Sequence, residues 1–179
     1  MGIPEIGQTA PDFALTDQSG AVVSLKDLTR EGPAVIVFYR GYWCPFCKRH
    51  LRQLQKNLVA IRQRGAHLAA IAIDPPELSQ ALAGVLKLEF PLLSDLDSKV
   101  IDAYGVRNDL PGVHPGVSNP AMFVIDRQGV VRFAEVRPDP QPRTSPELIV
   151  RELDRLLGVQ RNPEWLSVPE TPLASKASN

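Results

Sequence analysis

The chain holds two cysteines, three positions apart, in Trp43-Cys44-Pro45-Phe46-Cys47. They follow the apolar run Ala34-Val35-Ile36-Val37-Phe38-Tyr39 and precede a stretch with helical periodicity, so a strand hands both thiols to a helix N-terminus. A helix start offers unpaired backbone N–H groups and a partial positive charge, and both favour a thiolate over a thiol. Pro45 suits the first helical position, where no N–H is needed and proline's fixed φ fits. Cys44 is then the N-cap and Cys47 lies one turn on, about 5–6 Å away between Cβ atoms. A modest adjustment closes a disulfide from there. The spacing points to thiol–disulfide chemistry. Two blander readings compete: a pair of inert buried cysteines, and a zinc site of Cys44, Cys47 and His50. The zinc set lacks a fourth protein ligand, because His67 and His114 fall in other elements.

The elements that must position this pair can be read on either side of it. Val22–Leu25 reads as a short strand and Ala34–Tyr39 as one buried on both faces. From Pro45 to about Arg64, Leu51, Leu54, Leu58 and Ile61 step by three and four, giving an amphipathic helix closed by Gly65. His67–Ile73 is a second buried strand, closed by Asp74-Pro75-Pro76, and a helix is expected over Glu77–Leu88. Phe90–Leu93 is short and extended, and Ser94 or Asp95 opens a helix through Tyr104. Ala121–Ile125 and Val130–Ala134 flank Asp126-Arg127-Gln128-Gly129, an antiparallel hairpin signal. A final helix is predicted from Pro146 to Leu157. Helices between buried strands require a parallel part of a sheet, and the hairpin adds an antiparallel part. The expectation is an α/β chain of thioredoxin fold: a central mixed sheet with helices on both faces. Its domain spans 1–160, with a Pro-containing, irregular tail over 161–179.

Composition removes several function classes. With 179 residues, 44% apolar and 22% charged, one soluble domain is expected. A net charge of zero, with basic residues spread along the chain, gives no reason to expect nucleic acid or a membrane surface as partner. No apolar run approaches the ~20 residues of a membrane span. Met1-Gly2-Ile3-Pro4-Glu5 has no basic segment leading into an apolar one, so cytoplasmic residence is expected. A close cysteine pair in a reducing compartment points to redox chemistry rather than a structural staple.

Longer patterns carry a family resemblance. Ala10-Pro11-Asp12-Phe13-x-Leu15-x-Asp17-x-x-Gly20 resembles the opening segment of the alkyl hydroperoxide reductase/thiol-specific antioxidant (AhpC/TSA) family, the peroxiredoxin branch of the thioredoxin fold. Phe90-Pro91-Leu92-Leu93-Ser94-Asp95, Ala103-Tyr104-Gly105-Val106 and Phe123-Val124-Ile125-Asp126-x-x-Gly129 are similar to that branch too. The active-site stretch departs from the pattern. Arg40 stands at the family's proline, Cys44 at its Thr/Ser and Cys47 at its peroxidatic cysteine. The family's arginine before the Phe-Val-Ile-Asp strand is replaced by Asn119-Pro120, which looks like the cis-proline of thioredoxins. The buried aspartate that thioredoxins keep six residues before the first cysteine is here Phe38.

The resemblance implies a thiol-dependent antioxidant enzyme that reduces hydroperoxides through a Cys44/Cys47 dithiol–disulfide cycle. It would need no bound cofactor, only an external reductant such as thioredoxin, a glutaredoxin-type protein or glutathione; a homodimer is admissible. Two other functions compete: a protein disulfide oxidoreductase without peroxide chemistry, and a redox-sensing binding module. The sulfurs' roles also divide. As N-cap, Cys44 is the nucleophile by exchange logic, whereas the resemblance gives peroxide to Cys47, with exposed Cys44 resolving. Around them, Arg40 reads either as a solvated loop charge or as a cation that lowers a thiolate pKa and orients peroxide oxygen. Trp43 and Phe46 read as an apolar rim for a partner, against ordinary packing. His50 reads as a polar helix residue and Arg143 as a surface charge, rather than as a shuttle and a substitute arginine. Pro120 is expected to face the pair.

Overall fold

A computed structural model describes residues 2–110, 114–137 and 143–159; the expected tail over 161–179 lies outside the described residues. Among the described residues twelve elements follow one another: β1 (Ala14–Asp17), β2 (Val22–Ser24), α1 (Leu25–Thr29), β3 (Ala34–Phe38), α2 (Pro45–Arg62), β4 (His67–Ala72), α3 (Pro76–Leu86), β5 (Leu92–Ser94), α4 (Lys99–Ala103), β6 (Ala121–Ile125), β7 (Val131–Val136) and α5 (Pro146–Leu156). The strands form one sheet in the order β2-β1-β5-β4-β3-β6-β7. β3–β4 and β4–β5 are parallel and the remaining pairs antiparallel, as crossover helices and a hairpin demand.

β3 sits centrally and all five of its residues are buried, which explains why it reads as a continuous apolar run. Its alternating side chains serve two cores. Val35 and Val37 pack with Leu51, Leu54, Leu58 and Ile61 of α2, Leu82 of α3, and Ile149 and Leu153 of α5. Ile36 and Phe38 pack on the opposite face with Leu28 of α1 and Ile101 of α4, and Phe38 joins Tyr104 and Phe123 in an aromatic cluster. Helices therefore cover both faces. The α5 layer is clamped to the end of α2 by Arg64, whose Nε and Nη2 donate to the two carboxylate oxygens of Asp154 at 2.7 and 2.9 Å. No helix among the described residues is long and apolar enough to cross a membrane.

Three expectations are corrected locally. The strand expected over Val22–Leu25 ends at Ser24, because Ser24 caps an unforeseen helix, α1. Ser24 and Asp27 form a reciprocal capping box, a Ser-x-x-Asp signal present in the sequence. The helix expected from Ser94 or Asp95 starts only at Lys99. β5 runs through Ser94, and buried Asp95 instead accepts from the backbone N–H groups of Val100 and Ile101, serving as a cap at a distance. The second hairpin strand starts at Val131, since Asp126 Oδ1 collects the N–H groups of Gln128 and Val130 in the turn.

Candidate active site

The site forms where β3 ends and α2 begins. β3 leaves the sheet through Tyr39 and Arg40 at the bend around Gly41. A Cβ on Gly41 would come within 2.7 Å of Trp43 Nε1 and 3.1 Å of Asp74 Oδ1, so only glycine lets this loop close. Asp74, at the exit of neighbouring β4, accepts from the Tyr42 N–H at 2.7 Å and fixes the loop from the side. Burial pushes the Asp74 carboxyl up to about 6. A buried acid therefore stands beside the loop, although Phe38 holds none.

Cys44 is the N-cap of α2 with extended backbone, Pro45 follows at the first helical position, and Cys47 N–H donates to Cys44 Sγ at 3.4 Å. Both are free thiols and both are 1% exposed, which corrects the expectation of an exposed Cys44. The first turn of α2 contains no acidic residue to neutralise the dipole. Arg143 lies over the pair: its Nη2 is 3.9 Å from Cys44 Sγ and 3.8 Å from Cys47 Sγ. The surface reading of Arg143 is therefore wrong. The fold brings in this guanidinium from the segment before α5.

These groups split the two thiols. Hydrogen bonding from the Cys47 thiol and N–H, aided by Arg143 and Arg40, brings Cys44 down to about 6 despite burial. Cys47 moves the other way, raised by its bond to Cys44 and by desolvation. Both shifts favour a thiolate at Cys44 over one at Cys47, with Cys47 as its proton donor. The local physics sides with the exchange reading of Cys44, not with the position of Cys47 in the family pattern.

The supporting residues fall into place unevenly. Arg40 is half-buried, its guanidinium carbon 4.8 Å from the Trp43 ring centroid, and its charge reaches Cys44; it is not a free loop charge. Tyr42, Trp43 and Phe46 are 40%, 41% and 63% exposed and form an apolar rim. Pro120 is buried just before Ala121, which pairs with Phe38, and Ser118 Oγ donates to Tyr39 O at 3.1 Å; this loop lies beside the exit of β3. His50 is not an ordinary polar helix residue. It is 6% exposed, and its Nε2 donates to the Thr144 carbonyl at 2.9 Å. Burial and the Arg143 charge bring His50 down to about 4, so it stays neutral. His50 is the strut that holds the Arg143 segment over the sulfurs, and Thr144 adds a hydroxyl bond to Glu135. Among the described residues no group of three or more His, Cys, Asp or Glu is placed to hold a metal.

Comparison with known proteins places this geometry in context. The model of the AhpC/TSA family matches residues 6–134. Alkyl hydroperoxide reductase E of Mycobacterium tuberculosis is 34% identical over 134 residues, covering 74% of this chain and 85% of that protein. Chloroplastic peroxiredoxin Q of Sedum lineare is 36% identical over 127 residues, covering 71% and 66%. Among solved structures, peroxidoxin BcpB from Mycobacterium tuberculosis superposes with a TM-score of 0.75 at 26% identity, over 88% of this chain and 99% of that one. Enterococcus faecalis AhpC shares the fold, with a TM-score of 0.77 at 20% identity over 89% of this chain and 95% of that one. The family match stops at residue 134, before Arg143 and α5.

Proposed function

The chain belongs to the AhpC/TSA family of thiol peroxidases, and from that premise we propose that it reduces hydroperoxides with Cys44 as nucleophile and Cys47 as resolving thiol. The observation that carries this assignment is the Arg143 guanidinium lying within hydrogen-bonding reach of both sulfurs while Cys44 caps α2.

The Cys44 thiolate attacks one peroxide oxygen, the O–O bond breaks, and the leaving alkoxide or hydroxide takes a proton from solvent. Cys44 is left as a sulfenic acid. Cys47 then gives up its proton and attacks the Cys44 sulfur; hydroxide leaves with that proton as water, and a Cys44–Cys47 disulfide forms. Two electrons from an external thiol donor restore the dithiol. Arg143 stabilises the thiolate and then the charge developing on the peroxide oxygens. Arg40 adds a second cation. The donor is proposed to be a thioredoxin- or glutaredoxin-type protein or glutathione, the compartment the cytoplasm and the assembly a homodimer.

The decisive measurement is the second-order rate of hydrogen peroxide with the reduced protein. A rate well above that of free cysteine thiolate is expected, and one no faster overturns the peroxidase reading. The exposed rim of Tyr42, Trp43 and Phe46 favours a second reading, reduction of protein disulfides docked on that rim. Turnover of insulin disulfides without peroxide turnover would select it.

A further inference from the structure

One face of α2 carries a feature that peroxide chemistry does not use. Between Glu31 and Asp74 the sequence has no acidic residue, and α2 alone carries Lys48, Arg49, Arg52, Lys56 and Arg62 in a chain of zero net charge. Basic residues that look dispersed in composition are thus concentrated on the helix that starts at the sulfurs.

Helical spacing sets some of them along a groove of about 640 Å³. Phe46 stands at its cysteine end; Arg49, Gln53 and Lys56 follow at steps of three and four on one stripe. Arg143 and Ser145 form the opposite wall. The volume falls within the roughly 300–1,000 Å³ of small-ligand sites. Neither exposed Arg49 nor exposed Lys56 makes an ion pair with a described residue, so both charges face the groove without an internal partner. Glu147 is the one acid among the described residues of the lining.

We propose that this groove binds a small peptide-like thiol bearing carboxylates, which serves as the electron donor to the Cys44–Cys47 disulfide. The inference rests on the peroxidase reading and specifies its reductant. Eight of the ten described residues that line the groove are polar or charged, with Phe46 and Pro146 the apolar two, and that set suits a charged peptide. From Cys47 to Lys56 the helix rises by about 14 Å; three extended residues span about 10 Å of it, and the long Lys56 side chain, tilted toward the helix N-terminus, covers the rest. A tripeptide thiol can therefore reach the sulfurs while its carboxylates meet Arg49 and Lys56 and its ammonium meets Glu147. In the reaction, one donor thiolate attacks a sulfur of the disulfide and forms a mixed disulfide, releasing the other sulfur as thiolate. A second donor thiolate then cleaves the mixed disulfide. The donor leaves as its own disulfide, and two protons from the two donor thiols restore Cys44 and Cys47 to the dithiol.

Glutathione, with two carboxylates and one ammonium, is the probe, and uncharged dithiothreitol is the comparator. Peroxide-driven turnover of the full-length protein is expected to saturate with glutathione. In the double variant Arg49→Glu/Lys56→Glu, kcat/KM for glutathione relative to dithiothreitol should fall about tenfold, as expected when two exposed charge pairs are lost and reversed. Raising salt toward 1 M, where the Debye length is about 3 Å, should lower the wild-type ratio in the same direction. Arg52→Glu, an exposed reversal outside the groove lining, should leave the ratio within about twofold of wild type. Loss of equal size with both thiols, or no loss with either, overturns the proposal. If wild-type protein consumes no peroxide with dithiothreitol, the peroxidase reading has failed instead. The groove is then judged by the same ratio, measured on reduction of the preformed Cys44–Cys47 disulfide.

Discussion

Helices α2 and α5 begin in the same way. Each has a cap residue, then proline, and in each the cap side chain accepts from the backbone N–H three residues on: Cys44 Sγ from Cys47 at 3.4 Å, Ser145 Oγ from Leu148 at 3.3 Å. Both satisfy an orphan donor and both place an acceptor at the positive end of the dipole. They differ in what surrounds that acceptor. The α5 start is an exposed hydroxyl with Glu147 in its first turn; the α2 start is a buried sulfur with no acid in its first turn and Arg143 over it. A helix start is thus only a predisposition. Reactivity comes from a titratable cap atom, the lack of a neutralising acid, and a cation from elsewhere. The two regions are also linked, because Arg143 sits just ahead of the α5 cap.

Making the α2 cap resemble that of α5 is the most damaging change. Cys44→Ser should lower the second-order rate with hydrogen peroxide by about 10³-fold or more, since the nucleophile is gone. Cys47→Ser should still form a sulfenic acid at Cys44, trappable by dimedone, while turnover stops for lack of a resolver. If Cys44→Ser reacts at the wild-type rate, the roles of the sulfurs are reversed. In the wild type the rate should rise with pH through about 6 and level off above it, because deprotonation of Cys44 creates the reactive form.

Removing the guanidinium leaves the cap and takes away its cover. Arg143→Ala should slow peroxide reaction by roughly 10–100-fold, as loss of a preorganised donor does, and should move the midpoint of the pH profile upward. An unmoved midpoint would show that the helix start alone sets the thiolate. A smaller effect is expected for His50→Leu, which leaves the Thr144 carbonyl without its donor. It should cost about 1–3 kcal/mol in urea unfolding and slow the peroxide reaction less than Arg143→Ala does.

The mildest change gives α2 the acid that α5 has. Phe46 and Glu147 occupy the same position relative to their caps, and Phe46 is 63% exposed, so Phe46→Glu should be accommodated. A carboxylate there should favour the dipole, by about 0.3–1 kcal/mol, while raising the Cys44 pKa by up to about half a unit. Titration of thiolate absorbance would read both the direction and the size.

The parts legible in the sequence were those set by local rules. The period of Leu51, Leu54, Leu58 and Ile61 places α2 to within two residues of its observed end at Arg62. Pro45 and Cys44 fix its start, and the continuous apolar runs mark β3 and β4 as buried on both faces. The basic residues from Arg40 to Arg64 read as spread charge, because their meaning depends on which of them share a helix face beside a second wall.

By itself, then, the sequence determined that two thiols lie one turn apart at a helix N-terminus behind a buried strand, because spacing, proline and apolar period act over a few residues. Tertiary structure alone decided what surrounds the pair: the burial of both sulfurs, the cation over them and the buried acid that fixes the loop before them. Arg143 is 99 residues from Cys44 and 96 from Cys47; Asp74 is 32 from Tyr42; His50 and Thr144 are 94 apart. No period links such positions. They meet because Ile149 and Leu153 bury α5 against α2 and Arg64 locks it to Asp154, and that packing carries a guanidinium to a buried sulfur, where low dielectric makes its charge count.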